Sequence, residues 1–264
     1  MTRLALGLEY DGTSFSGWQS QPHASGVQAA VERALSFVAN HHVEVTAAGR
    51  TDAGVHAAMQ VVHFDSSVHR SLRSWVLGTN SKLPNSVSAL WAQPVPDSFH
   101  ARYSAISRSY RYFILNRGSR PALSRHNVCW IKDELDHERM QAAALMLLGE
   151  HDFTSFRAAE CQSRTPMRRL TEIKVQRRGE LIELAVTANA FLHHMVRNIA
   201  GVLIAVGQGK HAPQWVAEVL AARDRTCAGI TAPAAGLYLV AVHYDPSLQL
   251  PSEARALTPL VACR

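Results

Sequence analysis

What the chain has little of limits its chemistry first. Its four cysteines, Cys129, Cys161, Cys227 and Cys263, form no Cys-x-x-Cys pair, so reduced, structural thiols are expected in place of a disulfide framework or a zinc site. No apolar run reaches the length needed to cross a bilayer, and Met1-Thr2-Arg3-Leu4 leads straight into a strand pattern, not a cleavable signal. A cytoplasmic protein with no membrane partner is the expectation. A Walker-type loop and a Gly-x-Gly-x-x-Gly string are both missing, which leaves a small-molecule nucleotide cofactor without support, and no nucleophile elbow marks a serine. The pairs His41-His42 and His193-His194 are adjacent, not spaced to share an ion from one helix face, so the sequence predicts neither metal nor cofactor.

What is present is an ordinary globular composition, 264 residues with 47% hydrophobic and 18% charged, enough for one large domain or two small ones. Two are expected, with a boundary near residue 104 after the connector around Pro94 and Pro96. The 27 Lys and Arg exceed the 21 Asp and Glu by six. That excess suits a polyanionic partner and would equally serve solubility alone.

Hydrophobic periodicity supplies the elements. Leu4, Leu6, Leu8 and Tyr10 alternate as a strand, and Val27, Ala30, Val31, Ala34, Leu35 and Val38 recur at helical spacing over about 26–39, with Ser25 as N-cap. Strands near 43–48, 58–64 and 87–93 and a helix near 70–80 complete an N-terminal α+β domain with helices on one face of a sheet. Beyond the boundary the spacing predicts a strand over 107–115, a helix over 137–148 stopped by Gly149 and a hairpin of 170–177 with 181–188. Helices from about 192 and over 213–223 and a last strand over 237–244 follow. On the 107–115 strand Arg108, Tyr110 and Tyr112 share a face, an unusual mixture for a core. The stretches 116–125 and 153–169 are basic, and the second is irregular.

The stretch with the most chemical content is Ala47-Ala48-Gly49-Arg50-Thr51-Asp52-Ala53-Gly54-Val55-His56-Ala57. Glycines on both sides let the backbone turn sharply or approach a ligand closely, and an aspartate is ordinarily ionised at neutral pH. Asp52 is therefore equipped as a nucleophile or base. A tight surface turn in which Arg50 pairs with Asp52 is the competing explanation. Arg197, in Phe191-Leu192-His193-His194-Met195-Val196-Arg197-Asn198-Ile199, lies off the apolar face of its helix, where it could reach a cleft or simply be solvated. Tyr110 could stack on a base or pack half-buried on its strand, and Trp18 in the loop after the first strand is expected to close the core.

Together these strings resemble the TruA family of tRNA pseudouridine synthases. The likeness runs through LGLEYDG at 6–12, GWQ at 17–19, GRTDAGVHA at 49–57 and FHARYSA at 99–105. It continues through the Tyr110 strand, DFTSFR at 152–157, CQSRTP at 161–166, HHMVRN at 193–198 and GLYL at 236–239, and several motifs in one order are more specific than any alone. The resemblance implies two α/β-sandwich-like subdomains of mainly antiparallel sheet with an active-site cleft between them. It also implies isomerisation of uridine to pseudouridine at positions 38 to 40 of the tRNA anticodon stem-loop, without a cofactor, by a homodimer. Asp52 would be the nucleophile and Arg197 its orienting partner. Tyr110 would stack on the uracil above Leu237, with Arg50 and Arg164 among the substrate-binding cations. Ser109 departs from the second basic residue common in that family.

Overall fold

The computed structural model describes residues 1–20 and 25–251; Cys263 and the chain beyond Pro251 lie outside the described residues. Among the described residues there are ten strands, mostly antiparallel, and five α-helices, the expected α+β class. The chain divides into two compact units, the first formed by Met1–Arg108 with the segment starting at Tyr238, the second by Ser109–Leu237.

In the first unit the strands lie in the order β4 (Val87–Pro94), β1 (Thr2–Tyr10), β3 (His56–Ser66) and β10 (Leu237–His243). β1 pairs antiparallel with both β3 and β4, whereas Tyr238 and Leu239 of β10 run parallel to His56 and Ala57. β3 is therefore interior, and every residue from His56 to Phe64 is buried. Burial on both faces explains why its sequence reads as an apolar run without alternation. Helix α1 (Val27–Ala39) buries Val27, Val31 and Leu35 and packs on α2 (Leu72–Asn80). Trp75 of α2 meets Phe64 of β3 edge to face at 5.2 Å.

Two local expectations need correction. Ser25 does not cap α1. The cap position is Gly26 with no side-chain bond, because the carbonyls of Gly17 and Trp18 already accept from the N–H groups of Val27 and Gln28 at 3.1 and 2.9 Å. The strand expected over 43–48 shrinks to β2, Thr46–Ala47. Ser36 Oγ and Glu32 Oε1, both on α1, accept from the N–H groups of Val43 and Val45 at 2.9 and 3.1 Å. Side chains have taken donors that a ladder would otherwise use.

The connector after β4 is pinned to this unit by His63, whose Nδ1 accepts from the Ala101 N–H at 3.1 Å. Burial pushes the His63 imidazole down to about 4, with the nearby His100 and Arg3 adding to the effect and Asp65 opposing it. Above the unfolded value of about 6.5 both states are neutral and the bond is intact. As the pH falls from there towards about 4, the unfolded chain takes up a proton that the folded protein refuses, and stability declines. His63→Asn, which keeps an acceptor, is expected to flatten that decline in denaturant titrations at pH 7, 6 and 5.

In the second unit the order is β5 (Ser107–Asn116), β9 (Leu181–Ala188), β8 (Met167–Arg178) and β7 (Gly149–Asp152), with β6 (Cys129–Ile131) parallel to β5. β6 and β7 have three and four residues, too short to show a period in sequence. Arg178 and Leu181 face each other across the hairpin, and Gly179 takes the left-handed conformation at φ 59°. Helix α3 (His137–Ala144) is capped by Asp136, whose Oδ1 accepts from the N–H groups of Glu138 and Arg139, and tightens into a 3-10 turn over Leu145–Leu147. Helix α4 (Met195–Gly207) is buried over most of its length and packs on α3. Helix α5 (Trp215–Ala222) follows.

Candidate active site

Asp52 lies in the loop between β2 and β3, and nearly everything around its backbone is tied down. At the entrance Ala48 N–H donates to the Val61 carbonyl at 2.8 Å. Gln60 Nε2 donates to the Gly49 carbonyl at 2.7 Å from a fully buried position on β3. Thr51, 6% exposed, is held twice: its hydroxyl lies 2.8 Å from the Tyr10 hydroxyl, and its carbonyl accepts from Trp18 N–H at 2.9 Å. Burial pushes the Tyr10 phenol up to about 12, so it remains a neutral hydrogen-bonding group throughout the physiological range. After Asp52 the turn closes as Val55 N–H donates to the Asp52 carbonyl at 3.1 Å and Gly54 N–H to the Phe15 carbonyl at 3.3 Å.

Two glycines outside the loop make this close packing possible. A Cβ on Gly12 would stand 2.0 Å from the Val55 carbonyl oxygen, and one on Gly17, at φ 98°, would stand 2.8 Å from the Thr51 carbonyl and 3.2 Å from Asp52 C. Gly17→Ala is therefore expected to lose about 1–3 kcal/mol of stability and to shift the Asp52 backbone. A misplacement on the order of 1 Å lowers turnover roughly a hundredfold. Chemical denaturation alongside single-turnover rates checks this, and a variant with native turnover would show that the loop tolerates displacement.

The Asp52 side chain is half-buried, and Arg50 is exposed on the same loop. Trp18 is buried, 6.1 Å from the Tyr10 ring, so it closes the core as expected. Sequence reasoning passed over three of the supports: Tyr10, Gln60 and His56. Gln60 carried a readable signal, since a lone amide inside the run from Met59 to Phe64 must find partners when buried. His56 Nδ1 accepts from Gly12 N–H at 3.1 Å, Asp11 Oδ1 lies 3.1 Å from the same nitrogen, and the ring stacks on Tyr238 at 4.6 Å. This brace holds the far end of the loop.

In the second unit Tyr110 stands on β5, 8% exposed, with Phe191 edge-on to its ring at 5.0 Å. Tyr112 is structural, its hydroxyl donating to the Pro233 carbonyl at 2.8 Å. Leu237, 5% exposed, opens β10. Ser109 Oγ pairs across the sheet with Thr187 Oγ1 at 2.8 Å.

Arg197 occupies the first turn of α4, half-buried, with Nε donating to the Ala232 carbonyl at 2.9 Å while Ala232 N–H donates back to the Arg197 carbonyl at 3.1 Å. One residue on, the fully buried Asn198 donates through Nδ2 to the Phe156 carbonyl at 2.8 Å. Its Oδ1 accepts from Thr231 Oγ1 and Arg225 Nη2 at 2.6 and 3.1 Å. The first turn of α4 is thereby bolted to the strap before β10, with Arg197 Nε anchored on the same strap.

The basic stretches separate into two kinds. Arg164, Arg120 and Arg125 are exposed, whereas Arg108 and Arg168 are each 8% exposed. Arg168 donates to the Thr165 carbonyl and Ser163 Oγ at 2.9 and 2.6 Å, and Arg108 donates to three main-chain carbonyls. Those two guanidiniums bind groups within the fold, mostly main-chain carbonyls.

A family model described as tRNA pseudouridine synthase matches residues 8–104 and 143–245. A protein named tRNA pseudouridine synthase A from Nitrosococcus oceani is 55% identical over 256 residues, 97% of this chain and 99% of its own. Proteins of the same name from Coxiella burnetii and Legionella pneumophila are 55% and 56% identical, over 95% and 94% of this chain and 96% and 95% of theirs. With matches of that length and identity, the chain belongs to the tRNA pseudouridine synthase family of isomerases.

Proposed function

We propose that this chain converts uridine to pseudouridine in the anticodon stem-loop of tRNA, at positions 38 to 40, with Asp52 as the nucleophile. Membership of the family makes it an isomerase acting on tRNA; the position and the residue roles are the proposal. The observation that carries it is the bracing of the Asp52 loop, where Tyr10, Gln60, Gly12 and Gly17 all serve to hold one carboxylate-bearing turn. A solvated surface turn needs none of that support, while a nucleophile gains from fixed geometry.

The reaction breaks the bond between uracil N1 and the ribose carbon, turns the base in place, and joins C5 to the same carbon. C5 gives up its hydrogen and N1 ends with one, so nothing is consumed. An ionised carboxylate can begin this by adding to the ribose carbon, by adding to uracil C6 or by removing a ribose proton. Extruding the base costs a few kcal/mol, which stacking on Tyr110 over Leu237 offsets in part. Arg197 orients Asp52. Arg50 and Arg164, both exposed, neutralise phosphates. In this reading the carboxylate comes from the N-terminal part of the chain, the ring and guanidinium from the C-terminal part, and they meet in a cleft of a cytoplasmic homodimer.

Incubating the purified protein with unmodified tRNA tests the reading. Pseudouridine at positions 38 to 40 is the expected product. Free uracil would make the chain a glycosylase, and binding without a product would make it a non-catalytic tRNA-binding module.

A further inference from the structure

The connector motif Phe99-His100-Ala101-Arg102-Tyr103-Ser104-Ala105 has no part in the chemistry described so far, yet it is built as carefully as the Asp52 loop. Tyr103 is 76% exposed. Its ring is backed by that of His100, centroid to centroid 4.3 Å at 30°, and the Arg102 guanidinium lies 5.7 Å from its centroid. His100 is itself fixed: Nδ1 accepts from the N–H groups of Arg102 and Tyr103, both at 3.2 Å. Its N–H donates to Ser104 Oγ at 3.0 Å, its carbonyl accepts from Ser104 N–H at 2.8 Å, and its ring rests 4.9 Å from that of His63.

The turn is also tied to the catalytic loop. The buried Arg108 guanidinium donates to the carbonyls of Ala105, Arg102 and Ala48, and Ala48 is the residue from which the Asp52 loop departs. One cation thus clamps the Tyr103 turn beside that loop. The result is an exposed aromatic face, held in one orientation, next to a positive charge. Core packing does not require an outward ring, and solvent exposure alone would not be accompanied by four hydrogen bonds to His100 and Ser104. A preset ring loses little freedom when a flat partner lands on it.

We propose that Tyr103, backed by His100 and flanked by Arg102, is a stacking platform for an unpaired nucleobase of the tRNA, outside the pocket of the base presented to Asp52. The proposal rests on the tRNA reading above. Base stacking on an aromatic side chain is sequence-tolerant, because every base has a π-face, and the adjacent Arg102 pairs that contact with a phosphate.

The test compares the parent protein with Tyr103→Ala and Tyr103→Phe, using unmodified tRNA transcript in equilibrium binding and in pseudouridine formation. Tyr103→Ala is expected to weaken Kd roughly 5- to 150-fold, the loss falling mainly on KM and not on kcat, with Tm and sedimentation as in the parent. Tyr103→Phe, which keeps the ring, should restore binding to within about threefold. Parent-like affinity in the Ala variant would overturn the platform, and so would failure of Phe to rescue. A loss that tracks a change in oligomeric state would assign the ring to a contact between copies and equally overturn it. If the parent protein itself neither binds nor modifies the transcript, it is the tRNA reading that fails.

Discussion

Asp52→Asn is expected to lower pseudouridine formation by at least about ten-thousand-fold, with tRNA affinity held within a few-fold. The amide is nearly isosteric with the carboxylate, and the loop is held at several main-chain carbonyls. Val55 N–H bonds to the Asp52 main-chain carbonyl, Trp18 N–H to that of Thr51, and Gln60 to that of Gly49. The loop therefore keeps its course in the variant, and what disappears is the negative oxygen. Single-turnover rates, filter binding and thermal melts read the three consequences separately. An Asn variant that turns over at the parent rate ends the nucleophile assignment, whatever its stability.

Arg197→Ala carries the second large effect, a loss on the order of a hundred- to a thousandfold in turnover, as for removal of one preorganised donor, in a protein that remains folded. The side chain ties to the fold through Nε on the Ala232 carbonyl, a bond worth about 1 kcal/mol. The strap it touches is independently held by Ala232 N–H on the Arg197 carbonyl and by Asn198 with Thr231 and Arg225. Arg197→Lys separates charge from geometry, because an ammonium keeps the positive charge and cannot reproduce the planar fork. If orientation matters, Lys should fall with Ala. Unchanged turnover in the Ala variant would return Arg197 to the helix surface, and a collapse in Tm equal to the collapse in rate would make it a structural residue.

Much of this molecule could be read before it was seen folded, and the reasons differ by element. Strand β1, the β8–β9 hairpin and helix α4 are long and periodic, so local pattern and burial agree on them. β2 shrank and β6 and β7 went unseen because each depends on partners distant in sequence. Ser36 and Glu32 divert the donors of Val43 and Val45, and Cys129–Ile131 becomes a strand by lying along Ile114–Asn116. The stretches rich in arginine show the same limit. Composition treats Arg108 and Arg164 alike, yet one is a buried clamp on three carbonyls and the other is exposed.

Residue identity by itself determined the α+β class, the family, and which side chains are equipped to react, because a carboxylate between glycines in GRTDAGVHA has the same chemistry in any setting. Tertiary structure alone decided how that carboxylate is held. The supports of the Asp52 loop come from Tyr10, Gly12, Gly17 and Trp18, some 30 to 40 positions earlier, and from His56 and Gln60 just after it. Distances between groups so far apart along the chain follow from how β1 and β3 pair and leave no period or spacing in the sequence to be read.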